Sequence, residues 1–333
     1  MTTTRQDIKN MGRVVERGFS LVEMMVSITI GLMIIAALTG VLASNSRSSK
    51  TNDRTAELQS NGRYALDHLK RELRHADYRG YTWMTPNTSA VAIANECLEI
   101  AAVAGSFVNN LSQGIWGTNG SNPYAANCLN SGYLQGDVLV IRRVSNTALT
   151  SPTPLVNGEL YFRSTFIKGE MFQAGAVAIA ATGAPNNTDG TPFGEPLADF
   201  LVQEYVYYIG QGDCNGGGTA SIPALCRLAL GGGTMTKEMV VSGIEQMHMQ
   251  YGRTPLSSGT TQFYPADQIT SATDWEDVSS VRIWLLARNS QAESGYSNTS
   301  SYAMGDITYG PMTDSFRRQL FTTVVQLRNF HTE

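Results

Sequence analysis

At 333 residues the chain has room for one large domain or two modest ones, and only 16% of it is charged, against the ~25% usual in soluble chains. Together with 32 glycines and many Ser, Thr and Asn, that balance argues against a cytosolic helical enzyme. A net charge of −4 and a pI near 5.7 supply no large positive field, so no dedicated nucleic-acid binding is expected. The four cysteines, Cys97, Cys128, Cys214 and Cys226, form no CxxC pair. Metal-ligand spacing is absent, and disulfides in an oxidising compartment are the better reading. Three connectivities are open, of which sequence proximity favours Cys97–Cys128 and Cys214–Cys226, each closing a Gly/Asn-rich loop.

In chain order, residues 1–18 carry Arg5, Lys9, Arg13 and Arg17 against Asp7 and Glu16, a leader of net +2. Residues 19–43 follow with a single charge, Glu23, and no proline. As a helix this run is ~37 Å long, enough to cross a ~30 Å hydrocarbon core with some tilt. Positive-inside logic keeps the leader cytoplasmic; Arg47, Lys50 and Arg54 behind the span weaken that vote, and cysteines that need the far side strengthen it. A cleavable secretory signal predicts an apolar core of ~7–15 residues before a small-x-small site. Val41-Leu42-Ala43 has that form, but a longer run with a carboxylate near its start does not fit.

The junction Arg17-Gly18-Phe19-Ser20-Leu21-Val22-Glu23 resembles the class III leader of type IV prepilins and pseudopilins. The resemblance implies that a membrane aspartic peptidase cuts after Gly18, that Phe19 becomes the N-methylated terminus, and that Glu23 stands fifth in the mature chain. A carboxylate inside a bilayer costs about 2.5–3.5 kcal/mol on insertion scales, and no Lys or Arg in the span compensates it. Cleavage would create the missing cation as the Phe19 ammonium. Within one chain, the first helical turn favours the negative charge of Glu23. Between chains, Glu23 can neutralise the ammonium of a docked neighbour and so select a subunit register. A lone carboxylate snorkelling to the interface is the plainer alternative.

Residues 44–54 are polar all round, either a solvent-bridging helical stretch or a break. Leu58, Ala65, Leu66, Leu69, Leu73 and Ala76 then recur at three- and four-residue steps, opposite Arg63, Lys70, Arg71, Glu72 and Arg74. This predicts a helix with one face to bury, continuous over 19–79 and ended by Gly80 as its C-cap. Beyond Gly80 strands are expected over 97–103, 137–144, 159–168, 176–181, 200–209, 225–230, 238–243, 245–251, 278–289 and 321–329. Loops are expected over 105–131, 183–196, 210–223 and 254–273. Short turns without helix-length crossovers predict antiparallel pairing. The expected fold class is α+β: a long N-terminal α-helix, transmembrane in its first half and amphipathic in its second, packed on a large antiparallel β-rich C-terminal domain. The expected division is a leader 1–18, a transmembrane and assembly helix 19–43, its amphipathic second half 44–80, and a β-rich periplasmic or extracellular domain 81–333.

The resemblance reaches beyond the leader. Ser60-Asn61-Gly62-Arg63-Tyr64-Ala65-Leu66, the stretch Leu69 to Arg74, and Ala76-Asp77-Tyr78-Arg79-Gly80-Tyr81 resemble the post-membrane helix of PilW-type minor pilins. Ile244-Glu245-Gln246-Met247, Gln250-Tyr251-Gly252, Val281 to Arg288 and Phe321 to Asn329 are similar to that family's closing strands. The J-type pseudopilin of type II secretion is a near relative, and from another class a membrane-anchored periplasmic adhesin or carbohydrate-binding module shares a β-rich body.

What the PilW resemblance implies is a non-enzymatic subunit without cofactor that joins other minor pilins, of the FimU, PilV, PilX and PilE kinds, in a complex that primes type IV pilus assembly at or near the filament tip. The implied partners also include the major pilin, the prepilin peptidase, the inner-membrane assembly platform and a large tip adhesin. It implies a single-pass inner-membrane protein with cytoplasmic N-terminus and periplasmic C-terminal domain before assembly, at the cell surface afterwards.

Other constellations carry less. His68 and His75 are too far apart for an i,i+4 metal pair and read as a solvated helix face. His248 falls in a candidate strand, and no Cys or carboxylate cluster is expected around it. The runs Gly216-Gly217-Gly218 and Gly231-Gly232-Gly233 lack the Gly-Lys-Ser/Thr ending of a phosphate loop and read as flexible loops. Asn187, Asp189 and Glu195 offer oxygens for calcium, at a spacing unlike an EF-hand.

Overall fold

The computed structural model describes residues 18–82, 87–88, 93–98, 108, 110–149, 155–166, 168–175, 198–216, 222–254 and 259–329. Residues 1–17 of the expected leader 1–18, the strand at 176–181, most of the strand at 97–103, and the loop holding Asn187, Asp189 and Glu195 lie outside the described residues.

One helix, α1 (Leu21–His75), carries both the apolar run and the amphipathic stripe, and the polar stretch 44–54 is helical within it. The chain divides into two units, Met1–Asp53 and Arg54–Glu333. In the second unit Leu58, Gly62, Ala65, Leu69 and Leu73 of α1 are buried, at the spacing of a single helix face. The helix stops at His75, earlier than the Gly80 cap expected from sequence. Asp77 takes the left-handed conformation there (φ 62°), and its N–H donates to the Arg142 carbonyl at 3.0 Å. The last carbonyls are not left bare: Asn329 Nδ2 donates to Ala76 O at 3.0 Å and His75 O at 3.4 Å. Asp tolerates the left-handed region better than most residues, so a reading that waits for glycine places the stop too late.

The strands, in order, are β1 (Asn87–Thr88), β2 (Ile115–Thr118), β3 (Tyr133–Val144), β4 (Leu160–Ser164), β5 (Gly169–Gln173), β6 (Ala198–Gln211), β7 (Pro223–Gly231), β8 (Thr234–Ser242), β9 (Ile244–Arg253) and β10 (Gln262–Tyr264). A short helix α2 (Ala272–Glu276) precedes β11 (Val278–Arg288), β12 (Tyr302–Met304), β13 (Ile307–Tyr309) and β14 (Arg318–Gln326). The larger sheet runs β1-β5-β4-β6-β3-β2, with β7 paired to both β6 and β8; a second sheet runs β10-β9-β11-β14, and β12 and β13 form a small hairpin. Pairing is antiparallel, as expected, except for the short β1–β5 pair.

Several boundaries differ from expectation for local reasons. The run 159–168 is not one strand, because it turns after Ser164 and returns as β5. The loops expected over 105–131 and 254–273 contain β2 and β10. Gly232 and Gly233 are no loose loop: both have positive φ (59° and 72°) and form the two-residue turn that joins β7 directly to β8.

Two apolar cores result. The first joins Leu58, Ala65, Leu69, Leu73 and Ala76 of α1 with Leu139, Ile141, Tyr207 and Ile209 of the larger sheet and with Met247, Met249, Ile283, Leu285 and Val325 of the second. Gly62 lets α1 approach closely, since a Cβ there would run into the ring of Phe321 on β14. The second core takes the other face of β3 and β6, through Val138, Val140, Val206 and Tyr208, and contains all four cysteines. Cys97 is bonded to Cys128 and Cys214 to Cys226, with Cα–Cα separations of 4.8 and 5.8 Å.

Candidate assembly site

The first described residues, Gly18, Phe19 and Ser20, precede the helix, and Glu23 stands in its first turn. Met24 N–H donates to Ser20 O at 3.1 Å and closes that turn. Around the helix, Phe19, Leu21, Val22, Met24, Met25, Ile28, Leu32, Ile34, Ile35, Leu38 and Leu42 are all exposed, Phe19 at 79%. None of this apolar stretch is buried, and α1 is long and apolar enough to cross a membrane. Three hydroxyls of the run are already satisfied. Ser27 Oγ donates to Glu23 O (2.8 Å), Thr29 Oγ1 to Val26 O (2.8 Å) and Thr39 Oγ1 to Ala36 O (2.9 Å). A lipid or protein neighbour of this surface therefore meets mostly hydrocarbon and one carboxylate, with the Ser27, Thr29 and Thr39 hydroxyls already paired.

The polar architecture of the second unit lies elsewhere and differs from the sequence expectation at His248. This residue is fully buried on β9 and stacks on Trp284 of β11, with ring centroids 5.7 Å apart. Contrary to expectation, carboxylates flank it on both sides. Nδ1 lies 3.0 Å from Asp137 Oδ2 of β3, and Nε2 lies 2.8 Å from Asp306 Oδ1 in the β12–β13 turn. Asp137 also accepts from the N–H groups of Gly120 (2.9 Å) and Met249 (2.7 Å), and Asp306 from Gln250 Nε2 (2.8 Å). Burial alone would lower the His248 pKa, but hydrogen bonds and charge from Asp137 and Asp306 outweigh it and hold the imidazole above its ordinary value. The buried His248 ring thus ties the β12–β13 hairpin to β3 and β9. The carboxylates are remote in sequence, so no local pattern reports them.

His68 is also built in. His68 Nε2 is 3.0 Å from Tyr207 Oη, and burial lowers the His68 pKa, so the expected solvated face does not describe it. A second charged group closes the base of β14: Glu245 binds Arg318 and Arg288, and Arg318 also receives Asp314 at 2.6 Å. Among the described residues there is no group of three or more His, Cys, Asp or Glu suited to a metal ion.

Comparison with known proteins bears on both ends of the chain. Residues 14–39 match the prokaryotic N-terminal methylation motif, and residues 206–329 match the type IV pilus-assembly protein W family. Among solved structures, a type IV-like pilin from Thermus thermophilus is similar at 14% identity and a TM-score of 0.36, covering 84% of this chain and 98% of that one. No curated protein matches. With a prepilin methylation motif heading its apolar helix and a PilW match that takes in β7 to β14 and the end of β6, the chain is similar to PilW-type minor pilins.

Proposed function

We propose that this minor pilin primes type IV pilus assembly as a member of a minor-pilin complex and stays at or near the filament tip. The observation that carries the reading is the exposed apolar helix headed by Gly18-Phe19, with Glu23 as its single charge, in a chain whose remaining part is a large, loop-rich β domain. In this reading residues 1–18 are removed, 19–43 hold the protein in the inner membrane with its N-terminus in the cytoplasm, and 44–80 lead into the domain 81–333 on the periplasmic side. Extraction into a filament exchanges lipid for the apolar helices of other subunits, a change that costs little because both surroundings are hydrocarbon. Glu23 then pairs with the Phe19 ammonium of a neighbour and sets register. The domain is bulky for close repetition along a thin shaft, whereas one copy at an end meets no such limit. The match to the PilW family favours a pilus over the pseudopilin of a secretion system.

The partners in this account are minor pilins of the FimU, PilV, PilX and PilE kinds, the major pilin, the prepilin peptidase, the inner-membrane platform and a large tip adhesin; no cofactor or catalytic residue is assigned. Quantitative mass spectrometry of sheared filaments, with filament counts after deletion of this chain, tests it. The expected result is a trace subunit whose loss cuts filament number far more than it alters the filaments that remain. Glu23→Ala should leave cleavage largely intact while weakening incorporation, because the peptidase reads Gly18 and the neighbour reads the charge. A dominant subunit, or normal assembly of Glu23→Ala, overturns the reading.

A further inference from the structure

We propose that the outer edge of β14 receives an extended strand from another pilin-type subunit, prolonging the β10-β9-β11-β14 sheet across a subunit boundary. The inference rests on the reading of this chain as one member of a complex of pilin-type subunits.

β14 is the last strand of its sheet, and its register with β11 runs unbroken from Arg318 opposite Arg288 to Gln326 opposite Ser280. In an antiparallel ladder every second residue turns both its N–H and its C=O away from the partner. Among the described residues, no backbone group of 318–326 hydrogen-bonds to anything except β11, so those outward groups form a free row. Domains usually blunt such rows with charge, proline, bulges or brevity. The other edges here follow that rule. β10 has three residues and β2 four, while β8 carries Lys237 and Glu238 and meets β7 through a register shift. β14 has no such protection along its length: between Arg318 and Arg328 it reads Gln-Leu-Phe-Thr-Thr-Val-Val-Gln-Leu, without charge, Gly or Pro. That is the composition of a strand-pairing segment.

The edge is also held rigid. On its inner side Phe321 meets α1 at Gly62, and Val325 and Leu327 are buried. Glu245 and Asp314 fix Arg318 at its start. On its outer side Thr322, Val324 and Gln326 are exposed, Val324 at 51%. A template of this kind fits an uncharged extended segment with an acidic residue placed opposite the exposed Arg328. A second copy of β14 fits less well, because residues 318–329 hold no acidic side chain to set opposite Arg328. The occupant is therefore a strand from a different pilin-type subunit.

The test uses the full chain in cells that produce the complete pilus system. Single cysteines replace Thr322, Val324 or Gln326 in turn, cross-linking is brief, and the partner peptide is sequenced. A parallel set places single cysteines at Leu21, Leu32 and Leu38 of α1. The expected result is that the β14 positions reach successive positions of one strand in one other pilin-type subunit. Val324→Lys, checked by its melting curve, should lower recovery of that subunit at least about tenfold; Thr322→Lys serves if Val324→Lys does not fold. If α1 cysteines capture pilin-type subunits and the β14 cysteines capture none, the edge proposal is wrong and the minor-pilin reading stands. If neither set captures a pilin-type subunit, both are wrong. Cross-links from β14 to its own kind, or to a protein that is not a pilin, also overturn the edge proposal.

Discussion

His248 shows how a buried charge can organise a fold at the scale of one residue. Both ring nitrogens face carboxylates, which favours the imidazolium form and raises the His248 pKa above the ordinary value of 6.5 against the opposing effect of burial. The stabilisation is therefore fully present below about pH 6.5 and fades as pH rises through the raised folded value. His68 has the opposite sign: burial lowers its pKa, so it disfavours the folded state as pH falls. The two are separated by a difference measurement. His248→Gln should lose most stability relative to wild type in mildly acidic buffer and progressively less above neutral pH, read from denaturant midpoints across pH, with a proton-resonance titration placing the wild-type His248 midpoint above 6.5. A penalty that grows with pH would contradict the assignment. None of this was legible in the sequence near residue 248, because Asp137 and Asp306 arrive from β3 and from the β12–β13 turn.

Among the elements, α1 is the most legible, since its solvent changes along its length and its composition changes with it. Residues 19–43 are apolar on every face, whereas Leu58, Ala65, Leu69 and Leu73 keep to one stripe and are the ones buried. Leu69→Ala should destabilise the domain by about 2–5 kcal/mol, while Leu38→Ala, at an exposed position, should leave its unfolding unchanged. Long strands with alternating or continuous apolar runs, β3, β6, β7, β9 and β11, are readable for the same reason. The short strands β2, β10, β12 and β13 are not, because three or four residues among Gly, Asn and Ser carry no period. β5 was hidden by a turn inside an apolar run, and the helix stop by an Asp doing what Gly does more often. The disulfides staple the second core, which includes regions with little local apolar surface. The chain-entropy estimate gives about 3 kcal/mol for the Cys214–Cys226 closure and slightly more for Cys97–Cys128. Peptide mapping without reductant should find these two links, and the Cys214→Ser, Cys226→Ser double variant should unfold at correspondingly lower denaturant. Four free thiols, or a Cys128–Cys214 link, would contradict the pairing.

At the scale of the whole molecule, one polypeptide combines a helix suited to hydrocarbon with a β-rich domain held by two cores, two disulfides and buried ion pairs. Gly18-Phe19 is where the proposed function is most exposed to test, because the proposed Glu23 pairing and subunit register both depend on a free ammonium at Phe19. The low charge content and the cysteine positions pointed to this organisation, but neither names the chemistry at the junction; the short stretch from Arg17 to Glu23 does. Intact mass and N-terminal sequencing of the protein extracted from membranes of cells with an active prepilin peptidase address it directly. The account predicts a chain that begins at N-methylated Phe19, and an uncut, unassembled precursor for Gly18→Asp. An intact Met1, or a terminus at Ser44, would contradict it.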